Sequence, residues 1–290
     1  MEKSRDYFFG YYYKCQSDTQ TIALIAATHG TGADRGCSIQ VITEKGAWAA
    51  EFPYADYFHQ GSLIRIGKNV FNRDGLRVDI DSGDLCIRGE LAFGPLTGLR
   101  YDIMGPFALM PRMECRHMVG SMRHTVDGVL TLNGEEYRFV HGNGYWEGDQ
   151  GRSFPKRYLW THTFLPEGGS LMLSVADIPL GAVSFTGIIG VVLWKGKEYR
   201  LATYLGARAA EIQNGGAWIR QGNKSLKARL IESSAKKGLR APVKGSMVRT
   251  IHESAECRAE YEFRIGDQQL FHLVTDKATF EYEYQTESAP

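Results

Sequence analysis

Two acidic residues, Glu147 and Asp149, lie two positions apart in the segment GYWEGDQGRSFPKRYLW, residues 144–160. In an extended strand such side chains point to the same side, about 6.6–6.8 Å apart along the chain. Two carboxyl groups this close in an apolar setting do not both ionise readily, so one keeps its proton near neutral pH. Protonation of an unactivated carbon–carbon double bond requires such an acid. The segment therefore predicts a proton donor.

Aromatic residues surround this acidic pair along the chain. Their ring faces can stabilise a developing carbocation, which is the species that protonation of an alkene creates. We predict that they bind the substrate: Tyr145, Trp146, Phe154, Tyr158 and Trp160. An alternative remains open, because Gly148 and Gly151 are typical of a turn, where acidic residues commonly lie in solvent.

A second group of polar residues lies in the segment MECRHMVGSMRH, which includes Cys115, His117 and His124. Zinc sites need three or four converging ligands, and no Cys-x-x-Cys pair is present to complete one. We therefore predict no metal site, and a neutral His117 inside a β-sheet core. The chain also has no phosphate-binding Gly-x-x-x-x-Gly-Lys-Ser/Thr loop and no dinucleotide-binding βαβ unit, so no cofactor is expected.

The composition excludes several classes of function. Lys and Arg together number 34 against 33 Asp and Glu, so no basic surplus indicates a nucleic-acid partner. The five scattered cysteines do not resemble a disulfide framework, and the N-terminal residues do not resemble a signal peptide. The longest apolar run, 183–194, is shorter than the roughly 20 residues of a membrane-spanning helix. These features predict a cytoplasmic protein.

Most of the chain alternates with period two in short segments rich in β-branched and aromatic residues, separated by Gly, Asn, Asp and Pro. The pattern predicts an all-β fold, and leaves helix and strand open only for 206–212 and 226–237. Many short strands commonly close into antiparallel barrels, which removes exposed edges. A shared Gly-x-Glu-Tyr-Arg motif at residues 134–138 and 196–200 indicates hairpin turns or a duplicated architecture. We place two halves at 1–150 and 151–290.

The segment from Cys115 to Phe164 resembles the tocopherol cyclase family. That family has a Val-x-Ser-Met-x-His-x-x-x-Gly stretch followed by Tyr-x-Glu, Trp-Gly, Phe-Pro and an aromatic-Trp pair. The matching positions here are Val119, Ser121, Met122, His124, Gly128, Tyr145, Glu147, Gly151, Phe154, Pro155 and Trp160. Further similarity near the N-terminus and in the second half is to short bacterial members of this family.

The resemblance implies two lipocalin-like antiparallel β-barrel or sandwich halves packed together, related to carotenoid 1,2-hydratases. It implies cofactor-independent cyclisation, in which the alkene of a prenylated quinol is protonated and the phenolic oxygen traps the cation. Glu147 occupies the position of the family's glutamate and is the first candidate for the proton donor. The resemblance also suggests that His124 contacts the quinol oxygen and that Asp149 or His162 tunes the acid or takes a proton back.

This chain departs from the plant-type members at three positions. Gln150 replaces a tryptophan, Asp149 replaces an asparagine, and His162 stands where a glutamine is usual. These departures leave alternatives open: hydration of a related lipophilic substrate, a reaction driven by shape alone, or a non-catalytic lipocalin-like protein that binds a hydrophobic ligand. The expected partner is a lipophilic small molecule. Transient membrane contact and the oligomeric state are left open.

Overall fold

The chain folds almost entirely into β-strands, which confirms the all-β prediction. The computed structural model describes residues 7–30, 32, 35–110, 113–180, 183–233, 239–243, 246–251 and 254–284. Within these ranges the strands are joined by loops and tight turns and by short 3-10 turns at Tyr54–Asp56, Gly105–Leu109 and Thr203–Leu205. None of the helical segments in the described residues is long and apolar enough to cross a membrane.

The first sheet is antiparallel and has eleven strands in the order β4-β3-β2-β1-β11-β10-β9-β8-β7-β6-β5. Its first strand therefore pairs with both its second and its last, which brings β1 and β11 together at the middle of the sheet. The strands are β1 Phe8–Gln16, β2 Thr21–His29, β3 Gly36–Thr43, β4 Gly46–Pro53, β5 Tyr57–Gln60, β6 Leu63–Ile66, β7 Asn69–Asn72, β8 Gly75–Ser82, β9 Leu85–Phe93, β10 Cys115–Leu132 and β11 Glu135–Gly151.

The second sheet has nine antiparallel strands in the order β15-β14-β13-β12-β22-β21-β18-β17-β16, and β19 and β20 form a separate pair. Its first strand again pairs with the last strand of the chain, β22. The strands are β12 Tyr158–Phe164, β13 Ser170–Leu180, β14 Val183–Trp194, β15 Lys197–Ala202, β16 Arg208–Gln213, β17 Gly216–Gln221, β18 Lys224–Ser233, β19 Leu239–Val243, β20 Ser246–Ile251, β21 Ser254–Ile265 and β22 Gln268–Tyr282.

The two segments for which the sequence left helix and strand open are strands. Residues 206–212 contribute to β16, and 226–233 contribute to β18; the rest of the second segment lies outside the described residues. Both copies of the Gly-x-Glu-Tyr-Arg motif follow two-residue hairpin turns, Asn133-Gly134 and Lys195-Gly196. All four residues have positive φ, the backbone that tight antiparallel hairpins require.

The chain divides into two compact units. The first comprises Met1–Asp102, Pro111–Phe154 and Lys237–Thr250, and the second comprises Ile103–Met110, Pro155–Lys236 and Ile251–Pro290. The predicted boundary at residue 150 lies at the end of β11, after which the chain enters the second sheet. The division is therefore not at a single point in the sequence: residues 103–110 belong to the second unit, and residues 237–250 belong to the first.

The core of the first unit lies on one face of the β1–β11 region. Tyr11 and Tyr13 of β1 are buried there beside Trp146 of β11, and Phe9 packs against the same cluster, as the alternation of the sequence predicts. The strands are also buried on their second face, because Tyr12 and Lys14, which alternate with these residues, are 8% and 0% exposed. A fully buried lysine marks this second face as polar rather than as a second apolar core.

Candidate active site

The second face of β11 carries the residues that the sequence identified as the acid. Tyr145, Glu147 and Asp149 alternate along a regular stretch of strand, so they share one side of the sheet. β11 continues through Gly151 without a turn, and Glu147 is only 5% exposed. The alternative of a solvent-exposed acidic turn is therefore wrong, because strands on both sides pair with this segment.

His117 of β10 brings the two carboxylates together. The register of β10 and β11 places His117 directly opposite Asp149. Its Nδ1 atom lies 3.0 Å from Oδ1 of Asp149, and its Nε2 atom lies 3.1 Å from Oε2 of Glu147. The exposed fractions of the side chains are 7% for Glu147, 9% for His117 and 24% for Asp149. We call these three side chains the acid cluster.

Two neutral groups add hydrogen bonds to the acid cluster. The Tyr145 hydroxyl donates to Oε2 of Glu147 through a short hydrogen bond. The Cys115 thiol lies 3.4 Å from Oδ1 of Asp149 and donates to it. Burial is the main cause that raises the pKa of Tyr145 and that of Cys115 well above their ordinary values. Both side chains therefore act as neutral donors at physiological pH.

The acid cluster holds a proton more tightly than isolated groups would. Burial raises the pKa of Glu147 above its ordinary value of 4.5, although the positive charge of His117 opposes this. Burial lowers the pKa of His117, but the charges of Glu147 and Asp149 and their hydrogen bonds raise it by more, well above 6.5. The expectation of a neutral His117 is therefore wrong, since two carboxylates flank the ring.

The same three side chains are the residues to examine for a metal ion. One oxygen or nitrogen atom from each of them lies within 4.8 Å of the others. The two imidazole nitrogens of His117, however, point to different carboxylates, and one ion can bind only one of these nitrogens. The arrangement fits proton sharing, because Nδ1 is hydrogen-bonded to Asp149 and Nε2 lies at ion-pair distance from Glu147.

β1 adds further ionisable groups to this face. Tyr12 lies opposite Glu147, and Lys14 lies opposite Tyr145, in the register of β1 and β11. Lys14 has no exposed surface, which is rare for an ammonium group. Together with the acid cluster, these side chains make this face of the first unit rich in buried ionisable groups, between which electrostatic interactions are strong.

Two predicted substrate-binding residues lie on the other face of the sheet. Trp146 belongs to the core cluster, and its ring stacks on Tyr13 at 5.8 Å between centroids with an angle of 6°. The ring of His124 lies 4.6 Å from that of Phe93, which stacks on Tyr13. A substrate group that contacts Trp146 and His124 would therefore lie on the face of the β10–β11 sheet opposite to Glu147.

The protonation of His124 follows from its neighbours. Its Nδ1 atom lies 3.1 Å from Oγ of Ser121, whose own hydroxyl hydrogen is donated to the carbonyl of Arg123 at 2.9 Å. Nδ1 must therefore carry the hydrogen, and Nε2 carries the lone pair. Within the part of the chain that the structure describes, Nε2 has no hydrogen-bond partner. Burial lowers the pKa of His124 to about 4, so the ring is neutral.

We predict that His124 makes the fold acid-sensitive. Because its pKa is 6.5 when unfolded and about 4 when folded, its contribution to stability is present above pH 6.5 and is lost as the pH falls through 4. Between about pH 7.5 and about pH 4.5 the wild type should lose roughly 2–3 kcal/mol more stability than His124→Gln. Urea denaturation at both pH values measures this. Equal losses in the two proteins would contradict it.

Gly144 is the position that allows His124 to lie against β11. A Cβ atom there would lie 2.1 Å from Nε2 of His124 and 2.7 Å from Cγ2 of Val126. We expect Gly144→Ala to lower the free energy of unfolding by about 1–3 kcal/mol, because the packed core cannot absorb the added group. Gly98→Ala is the control, since nothing lies within 4 Å of its Cβ position. Thermal denaturation of the two variants checks the difference.

The remaining predicted residues lie at the end of the first unit and in the second. The ring of Phe154 makes an edge contact with Phe8 at 5.3 Å. Tyr158, Trp160 and His162 alternate along β12 and are buried. The Tyr158 hydroxyl donates to Glu281, and Nε2 of His162 lies 3.0 Å from the Ser170 hydroxyl. Their predicted roles at the substrate stay predictions.

His117 is the member of the acid cluster that the sequence reasoning assigned to the core. Alternation along the strand could have indicated this position, because Cys115 and His117 share a face of β10, the strand that precedes β11 with its two carboxylates. β10 has irregular register between Val119 and His124, so the face of each residue could not be counted along the chain. For Lys14 and Tyr12 the sequence indicated a position in a strand and nothing about the site.

Comparison with known proteins supports the resemblance found in the sequence. No protein-family model matches the chain. The "Probable tocopherol cyclase, chloroplastic" of Oryza sativa subsp. japonica is 22% identical over 200 residues, which are 66% of this chain. The chain spans 42% of the length of that protein. The predicted similarity to the tocopherol cyclase family is thus confirmed at the level of sequence.

Solved structures show the same fold at low sequence identity. Kievitone hydratase from Nectria haematococca aligns with a TM-score of 0.56 at 10% identity, over 96% of this chain and 89% of the hydratase. CghA in complex with Sch210972 aligns with a TM-score of 0.64 at 10% identity, over 96% of this chain and 89% of that one. The predicted all-β, two-part, lipocalin-like fold is therefore confirmed.

Proposed function

We propose that this protein catalyses acid-initiated cyclisation or hydration of a lipophilic substrate that carries a prenyl-type alkene, with a prenylated quinol as the first candidate. The proteins to which it is similar in sequence or structure include a cyclase and a hydratase by name. Both names fit one chemistry, in which a proton is added to a double bond and an oxygen traps the resulting cation. The trapping oxygen is the substrate's phenol in a cyclisation and water in a hydration.

One observation carries the proposal: Glu147 is a buried carboxyl group whose pKa is raised by that burial. Such a group retains a proton at a pH where an exposed glutamate has lost it. The neighbours on Oε2, Tyr145 and His117, stabilise the carboxylate that remains after the proton has left. Glu147 can therefore serve as a general acid and can also be restored after the reaction.

The reaction is balanced in protons and bonds. The O–H bond of Glu147 breaks and a C–H bond forms at the less substituted alkene carbon, which leaves a tertiary cation and a carboxylate. The phenolic oxygen then forms a C–O bond to the cation and releases its own proton. The proton consumed and the proton released are equal in number, so the cyclised product is an isomer of the substrate and needs no redox partner.

Incubation with a panel of prenylated benzoquinols in D₂O, followed by mass spectrometry, tests the proposal. We expect a cyclised isomer that carries one non-exchangeable deuterium, because the proton of Glu147 exchanges with solvent before it is transferred. A hydrated product with one carbon-bound deuterium would support the hydratase form. Recovery of every quinol unlabelled would contradict the proposal.

A binding role is the second candidate, and a specific observation in the first unit favours it. Three polar atoms in its aromatic core have no hydrogen-bond partner among the described residues: the Tyr13 hydroxyl, Nε1 of Trp146 and Nε2 of His124. Such atoms are costly to bury, and a hydroxylated lipophilic ligand would satisfy them. Quinols that co-purify with the protein without labelling would support binding in place of catalysis.

A further inference from the structure

The acid cluster is arranged as a row from a buried end to a more exposed end. Glu147 contacts Nε2 of His117 at 3.1 Å, and Asp149 accepts a hydrogen bond from Nδ1 of the same ring at 3.0 Å. The exposed fraction of Glu147 is 7% and that of Asp149 is 24%. A charged imidazole therefore lies between the candidate acid and a carboxylate that remains in contact with solvent.

We propose that His117 returns a proton to Glu147 after each turnover, and that Asp149 is the positioning residue that keeps His117 oriented and charged for this step. The inference rests on the proposed function of Glu147. When Glu147 has become a carboxylate, the Nε2–H bond of His117 breaks and an O–H bond forms on Glu147. The ring keeps the Nδ1–H group that donates to Asp149. Nε2 then takes up a proton again, and this proton balances the one that the substrate oxygen releases.

The proposal depends on the negative charge of Asp149 and not only on the shape of its side chain. An asparagine oxygen could accept the Nδ1–H hydrogen bond of His117, but it would supply no negative charge to hold the imidazolium. The aspartate of this chain is therefore expected to extend activity to higher pH than an asparagine would.

The other ionisable groups on this face do not replace Asp149. On β10, the Cys115 thiol donates to Asp149 as a neutral group. On β11, Tyr145 contacts Glu147 and not Asp149. On β1, the residue opposite Asp149 is Gly10, while Tyr12 lies opposite Glu147 and Lys14 opposite Tyr145. Asp149 is thus the carboxylate that faces Nδ1 of His117.

The protonation of His117 can be measured without any substrate. In the full chain labelled with ¹⁵N-histidine, we expect the His117 ring to stay doubly protonated through neutral pH. In Asp149→Asn its titration should move to lower pH by about one unit or more, because a charge at hydrogen-bonding distance is lost. Asp127→Asn is the matched control, since Asp127 lies 3.4 Å from Nδ1 of the exposed His141 on the same pair of strands. An unmoved His117 titration would overturn the role of Asp149.

Turnover of a geranyl-substituted benzoquinol tests the reloading step itself. In Asp149→Asn the first turnover should proceed at nearly the wild-type rate, because the proposed function starts from a protonated Glu147 and the reloading step comes only afterwards. Later turnovers should slow on the order of 100-fold, which is the lower end of a typical acid–base contribution. The alkaline limb of the pH–rate profile should move to lower pH, since His117 loses its proton earlier. Equal loss in the first and later turnovers would overturn the proposal.

The outcomes separate this inference from the proposed function. If the wild type forms labelled product and Asp149→Asn leaves both the His117 titration and the pH profile unchanged, only the reloading step is overturned. If the wild type forms no labelled product from any quinol, the acid role of Glu147 and its reloading are both overturned. Free imidazoles in the buffer should restore later turnovers to His117→Gly at rates that vary with the pKa of the added imidazole, whereas a purely structural role would give no dependence on that pKa.

Discussion

Glu147→Gln should abolish formation of the deuterated product, with a loss of at least about 100-fold relative to the wild type. The amide of glutamine has nearly the shape of the carboxyl group but cannot transfer a proton to an alkene. The side chain is buried, accepts a hydrogen bond from Tyr145 and lies 3.1 Å from Nε2 of His117, so water cannot readily take its place as the acid. Mass spectrometry of the D₂O reaction measures the result directly.

Glu136→Gln is the matched control for this experiment. Glu136 lies on the same strand, β11, but its side chain is exposed and pairs with Arg138 at 2.9 Å. This variant should retain wild-type activity, since a surface ion pair contributes little to stability and nothing to the acid cluster. A Glu147→Gln protein that still forms labelled product would show that proton transfer does not start at Glu147. A shape-driven reaction would then be favoured.

His117→Gln should have the largest effect on stability. It leaves two carboxylates without the cation that lies between them, and loss of one partner of a buried pair costs about 3–5 kcal/mol. Part of this cost should disappear on acidification, because a protonated Glu147 no longer needs a positive neighbour. His141→Gln is the control, since that ring is 81% exposed beside Asp127. Guanidinium denaturation over a range of pH measures both variants.

The stability that the acid cluster contributes to the wild type should decline as the pH rises. The pKa of His117 is raised on folding, so its contribution is fully present below its ordinary value of 6.5 and is lost as the pH rises through the folded-state pKa. The pKa of Glu147 is raised above 4.5, which acts in the same direction from that pH upward. His117→Gln should lose the part of the decline that the imidazole causes, and the part that Glu147 causes should move to higher pH because its positive neighbour is gone. An identical decline in both proteins would assign it to other groups.

The sequence by itself determined the local features of this protein. Its period-two alternation predicted the strands, because side chains of successive residues in a strand point to opposite faces. The same rule placed Glu147 and Asp149 on one side of β11. The Asn133-Gly134 and Lys195-Gly196 turns were also readable, since positive φ at two successive positions selects few residue types.

Only the tertiary structure decided which side chains meet across strands. His117 reaches the two carboxylates because β10 pairs with β11 in one register, and irregularities between Val119 and His124 shift the faces of residues along β10. For this reason the face of His124 could not be counted along the chain, whereas Trp146, next to Glu147 on β11, lies on the other face by simple alternation.

The positive charge of His117 could likewise not be predicted from the sequence. A pKa depends on burial and on the charges within a few ångströms, and both are properties of the assembled sheet rather than of a residue type. The sequence therefore predicted a proton donor at Glu147. The pairing of strands about thirty residues apart made that donor part of a row with His117 and Asp149, because only packing sets the distances between their charges.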